Sequence, residues 1–121
     1  QSITSTSPVT VTFDTEKYDQ NSDMTSTTFT APVTGKYLFA MAITAESLND
    51  DYIVMHLDTS NHNYAIHPLS TANNSATYKA MTGSLIVDMD ANDTAIITAN
   101  SANDSSYTLR ASRTFCGALI C

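Results

Sequence analysis

Positive charge is scarce in this chain. Five Lys and Arg stand against twelve Asp and Glu in 121 residues, giving a formal net charge of −7 and a pI near 4.4. A surface this acidic offers no basic stripe for a phosphate backbone, which excludes nucleic-acid binding. Glycine is scarce too, at three residues, so there is no glycine-rich loop to cradle a phosphate. Glu occurs only as Glu16 and Glu46, and charged residues make up 14 %, against about 25 % in an average globular chain. Helices favour Ala, Leu, Glu and Lys, whereas Thr and aromatics favour pleated structure, so long helices are not expected. Apolar runs are short, far below the roughly 20 residues that cross a bilayer as a helix, and no membrane insertion is expected.

What remains is a globular composition. Hydrophobic residues make up 42 % and the mean hydropathy is −0.12, which fits neither a disordered chain nor a membrane protein. The length suits one domain with its own core. Gln1 to Ser7 has neither a positive n-region nor an apolar h-region and is no signal peptide. Residues 1–8 read as an extended lead-in from an upstream region, with one domain over 9–121. Cys116 and Cys121 are the two cysteines. On one strand they would lie about 16 Å apart, too far for a disulfide, and would point to opposite faces. The redox compartment stays open, and pairing of Cys121 between subunits is one route left to it.

The apolar pattern has a period of two. Val9, Val11 and Phe13 alternate with Thr10, Thr12 and Asp14. A polar loop over 17–27 leads to a short strand near Phe29, and Ala31-Pro-Val-Thr-Gly35 is a turn. Tyr37, Phe39, Met41 and Ile43 form one face of the next strand, while Leu38, Ala40 and Ala42 form the other. Both faces are apolar, so both need cover. Further strands are expected from Ile53 to Asp58, Tyr64 to Leu69, Tyr78 to Met89 and Ala95 to Ala99, and a last one from Tyr107 to Ile120. About eight to ten strands with regular turn signals predict an all-β antiparallel sandwich, jelly roll or small barrel. Phe13, Phe29, Tyr37, Phe39, Met55, Leu57, Leu85, Val87, Phe115 and Leu119 are the expected core.

Chemistry-bearing motifs are absent. There is no Gly-x-Ser-x-Gly elbow, His-Glu-x-x-His or Cys-x-x-Cys, so no enzyme activity and no catalytic residues are expected. His56 and Asp58 share a strand face and could chelate a metal, or stand as an ordinary outward polar pair. Asp88-x-Asp90-x-Asn92-Asp93 begins like an EF-hand loop but lacks its glycine and its closing glutamate. Sequons at Asn73, Asn92 and Asn103 are no more than a Ser/Thr-rich chain produces by chance.

Several segments together carry a resemblance. Phe13 with Asp19, then Phe29-Thr-Ala-Pro-Val-Thr-Gly35-Lys-Tyr37-Leu-Phe39, then Ser112-Arg-Thr-Phe115-Cys-Gly117-Ala-Leu119, resemble the globular head domain of the C1q/TNF-like superfamily. Met24 and Met41 stand where that family usually has aromatics. The resemblance implies a jelly-roll β-sandwich that assembles as a homotrimer. It also implies a calcium (Ca²⁺) site at Asp93, in the turn before the seventh expected strand, with no other cofactor. Val11 to Glu16 and Phe29 to Gly35 look like versions of the domain in bacteriophage virion fibres, and no collagen-like Gly-x-y run occurs in these residues. The expected function is a non-enzymatic structural and attachment domain: the knob of a fibre, or a capsid decoration, in the virion. It would join other virion proteins through the upstream region and bind a host surface glycan or protein. The alternative is a secreted C1q-like recognition protein.

Two sets of residues follow as candidates. Leu38, Ala40 and Ala42, with Cys116, Ala118 and Ile120, make a surplus apolar face for a trimer interface. Loop residues Asn49, Asp50, Asp51 and Tyr52, and Asn61, His62 and Tyr64, are the candidate ligand contacts, with Asn73, Asn74, Asn103 and Asp104 in further loops. Their amides, carboxylates and phenols suit sugar hydroxyls and rings.

Overall fold

The computed structural model describes residues 1–15, 19, 21–47, 53–66, 78–101 and 105–121. Among these, all regular structure is β, in ten strands. They are β1 (Ser2–Ile3), β2 (Val9–Thr10), β3 (Thr28–Thr30), β4 (Gly35–Glu46), β5 (Ile53–Thr59), β6 (Asn63–Ile66), β7 (Tyr78–Met89), β8 (Thr94–Ser101), β9 (Tyr107–Leu109) and β10 (Thr114–Leu119). They form two five-stranded antiparallel sheets packed face to face, a jelly-roll sandwich.

The first sheet is organised by β4. One edge of β4 pairs along its whole length with β7, from Gly35 opposite Met89 to Glu46 opposite Tyr78. Its other edge is shared end to end by β10 and β9, and β1 extends the sheet beyond β9. In the second sheet β8 pairs with β5, which carries β6, while β2 and β3 share the other edge of β8. Both β6 and β7 therefore border the sandwich at the same side, each paired to one neighbour among the described strands.

Alternation makes the core. Tyr37, Phe39, Met41, Ile43 and Ala45 point inward from β4 and meet Ile53, Met55 and Leu57 of β5 and Ala95, Ile97 and Ala99 of β8. Phe39 is fully enclosed, with Phe29 edge-on at 5.2 Å and Phe115 stacked at 5.6 Å. Gly117 makes that arrangement fit, because a Cβ there would lie 2.6 Å from the Phe39 ring. Every residue expected in the core is buried or packed against it except Leu119, which is about half exposed at the end of β10.

Three boundaries differ from expectation. The single last strand from Tyr107 to Ile120 is two strands, divided at Arg110–Arg113 by a buried arginine: the Arg113 side chain is 3 % exposed and donates to the carbonyls of Thr12, Leu109 and Arg110. The lead-in over residues 1–8 begins inside the sheet, since Ser2 and Ile3 pair with Thr108 and Tyr107 and Ile3 is buried. Gln1 completes the tie, its side chain bonding Thr10 and Thr12. The strand from Val9 narrows to two residues, although Val11 still donates its N–H to Ile97. Beyond Ile66, the rest of the expected strand to Leu69 lies outside the described residues.

Candidate functional site

Three turns meet at one end of the sandwich: 31–35 after β3, 60–62 between β5 and β6, and 90–93 between β7 and β8. Asp93 joins them. Its carboxylate accepts from the Ser60 hydroxyl at 2.8 Å, the Asn61 amide at 2.7 Å and the Asp90 N–H at 2.9 Å. Ala31 donates its N–H to the Asp93 carbonyl, and Asn92 donates its own to Ala31. Asn92 sits at φ 73°, a left-handed conformation that asparagine tolerates in tight turns. Thr34 adds a second clasp, accepting from the Ala91 N–H at 3.1 Å and donating to Asp90 at 3.4 Å. The Asp90 N–H, then the Ser60 hydroxyl and the Asn61 amide, hold the Asp93 carboxyl below its ordinary range.

Asp93 is the residue to which the resemblance assigns calcium. Both its oxygens are taken up by donors of its own chain, with which a cation would compete. Among the described residues no group of three or more His, Cys, Asp and Glu is placed to hold a metal ion. His56 and Asp58 are likewise engaged: Asn63 bonds both, and Thr98 donates to Asp58 at 2.7 Å.

Beside this knot of turns lies a cleft of about 510 Å³, where the end of β7 faces the start of β6. Asn61, His62 and Tyr64 line one side; Ile86, Asp88 and Asp90 line the other. The His62 and Tyr64 rings stand edge to face, with centroids 6.0 Å apart. Three of the seven candidate ligand contacts are thus brought together. The other four, Asn49, Asp50, Asp51 and Tyr52, lie outside the described residues, as do Asn73, Asn74, Asn103 and Asp104. Asp88, Asp90 and Ile86 were not among the candidates. They come from a different sheet than His62 and Tyr64, and no sequence spacing links the two.

The second feature is the outer face of β7, β4 and β10. Register places Ile86, Leu38 and Ala118 in one row, Ser84, Ala40 and Cys116 in the next, and Thr82, Ala42 and Thr114 in a third. None of the nine is charged. Ile86 is 61 % exposed, Leu38 40 % and Ile120, just past the rows, 48 %. Cys116 and Cys121 are both free and exposed. The six residues expected at a trimer interface lie on this one face, and no described loop of the same copy buries it.

Comparison with known proteins agrees with this architecture. A family model of the C1q domain matches residues 1–120. The chain belongs to the C1q domain family. Among solved structures it is similar to the globular domain of zebrafish complement 1qA protein, at 18 % identity and a TM-score of 0.67, with 98 % of this chain and 94 % of that one covered. No curated protein matches the chain by sequence. C1q domains are non-enzymatic recognition modules of secreted or extracellular proteins, typically assembled as trimers.

Proposed function

We propose that this C1q domain is a homotrimeric recognition domain, without catalytic activity, that attaches its parent particle or protein to a surface ligand. The uncharged outer face of β4, β7 and β10 carries the reading. In a chain of net charge −7, three adjacent rows without a charge, bearing exposed Ile86 and Leu38, are a surface built for contact. Ala40, Ala42 and Ala118 let another backbone approach closely, and cyclic closure leaves no such face open. Three copies of a weak site on one head raise avidity by orders of magnitude when the target is multivalent.

The setting we favour is the virion of a bacteriophage, as a fibre knob or capsid decoration joined to other virion proteins and binding a host glycan or protein. The wording of Val11 to Glu16 and Phe29 to Gly35 supports it. A secreted recognition protein is the other reading, supported by the extracellular habit of the family. Light scattering at micromolar concentration is the test of assembly. Three times 13.0 kDa is expected, and a monomer would overturn the reading.

A further inference from the structure

The cleft between β6 and β7 has a chemistry more specific than recognition in general. We propose that it takes a neutral saccharide unit of a surface glycan. This deepens the recognition reading above and rests on it.

Four properties point the same way. The first is free hydrogen-bonding capacity: the Asp88 carboxylate, the Tyr64 phenol and the His62 ring have no hydrogen-bond partner among the described residues. Sugar hydroxyls both donate and accept, so a carboxylate beside a phenol and an imidazole matches them in both senses. The second is rigidity. Asn61 is held by Asp93 at 2.7 Å and Asp90 by Thr34 at 3.4 Å, so the base of the cleft is fixed before any ligand arrives. The third is apolar surface: the edge-to-face His62 and Tyr64 rings and the exposed Ile86 offer contact to the C–H face of a pyranose. The fourth is charge. Asp88 and Asp90, both lining the cleft, disfavour an anionic sugar or a phosphate. A neutral sugar needs no counter-charge. The cleft volume of about 510 Å³ falls within the 300–1,000 Å³ typical of small-molecule sites.

Ile86 also belongs to the uncharged outer face, so a neighbouring copy seated on that face would compete with a ligand for it. The test must separate ligand from neighbour. Saturation-transfer NMR on the full chain would use lactose, maltose and mannobiose as neutral probes, 3′-sialyllactose as the acidic one and tetralysine as the cationic one. Asp88→Ala and His62→Ala alter exposed side chains, and melting curves confirm that both variants fold. We expect at least one neutral disaccharide to bind in the millimolar range, and each variant to weaken it by about 3- to 10-fold, the worth of one hydrogen bond. 3′-Sialyllactose should bind less well than lactose. Silence from all three neutral sugars at about 10 mM would overturn the proposal. So would binding that ignores both variants, or tetralysine as the sole binder. If Asp88→Ala changes the subunit number by light scattering, the cleft is a subunit contact and the proposal falls. A monomer that still binds sugar through Asp88 would instead sink the trimer and leave the cleft assignment standing.

Discussion

Arg113 donates its Nε–H to the carbonyl of Thr12 at 2.8 Å, fastening together segments 101 residues apart in the chain. Its Nη1 serves the carbonyls of Leu109 and Arg110, both at 2.7 Å, and Nη2 reaches Asp14 at 3.1 Å. One guanidinium thus holds the β9–β10 connection against the segment that follows β2. Removing it leaves the part-buried Thr12 carbonyl short of a donor, while the Leu109 carbonyl keeps only the Gln1 amino group at 2.9 Å. Arg113→Ala should cost more than about 2 kcal/mol, read as a lower urea midpoint. Arg113→Lys should recover little of that, because an ammonium lacks the planar fork. Asp14 is 74 % exposed, and Asp14→Ala should cost less than about 1 kcal/mol. Equal losses in Arg113→Ala and Asp14→Ala would show that the ion pair, not the carbonyls, matters.

Gly117 and Phe39 give a second prediction, with two mutations acting in opposite senses. Phe39→Ala opens a cavity among Phe29, Phe115 and Tyr37 and should cost about 3–5 kcal/mol. Gly117→Ala does the reverse, pressing a methyl to 2.6 Å of a ring already boxed by two neighbours. It should cost about 1–3 kcal/mol by overpacking. Adding Gly117→Ala to Phe39→Ala should therefore be harmless or restorative. Denaturant melts of the four chains in that double-mutant cycle would show it, and simple additivity would refute the packing account.

The fold was legible because its longest strands announce themselves. Tyr37, Phe39, Met41 and Ile43 cannot share a face except with a period of two, and the outward set Leu38, Ala40, Ala42 is apolar as well. The break at Arg110–Arg113 was not legible, because an arginine between two apolar stretches looks like an exposed strand residue until its carbonyl partners are in place. Ser2 and Ile3 were missed for a related reason: two residues are too few to show a period, and only β9 reveals that Ile3 is buried. The cleft was half legible. Asn61, His62 and Tyr64 stand out as a polar and aromatic turn, but Asp88 and Asp90 reach it from the other sheet.

Asp93 predicts a pH dependence. Its folded-state pKa lies below the ordinary 3.8, chiefly through the Asp90 N–H and then Ser60. A group depressed in the folded state stabilises it above the unfolded pKa, and that contribution fades as pH falls through the folded value. Stability from Asp93 should thus be fully present above about pH 5 and be lost progressively below about pH 4. Asp19, held mainly by the Met24 N–H, acts in the same direction. Asp93→Asn should lower the melting temperature at neutral pH and flatten its decline between about pH 5 and pH 2. If the variant's decline runs parallel to that of the wild type, the carboxylate is not the titrating lock.

Cys116 reports on assembly from within the face itself. Its thiol is free and exposed in one copy, in the row with Ala40 and Ser84, and bordered by a shallow depression that also touches Ala42 and Thr82. If three copies meet there, the thiol is shut away from reagents in the native protein and open once the copies separate. Cys121→Ser leaves Cys116 as the one thiol to follow. A maleimide should then label the native protein slower, by on the order of tenfold or more, than a chain whose face has been charged by Ala40→Asp. Ala40 sits on the outer side of β4, so an aspartate there can stay solvated in a single copy. At a contact between copies it would be buried unpaired, which forces separation. Light scattering should give one subunit for Ala40→Asp and three for its parent. Fast labelling of Cys116 in both chains, with one subunit in each, would mean that the uncharged face stays open to water and that the trimer is wrong.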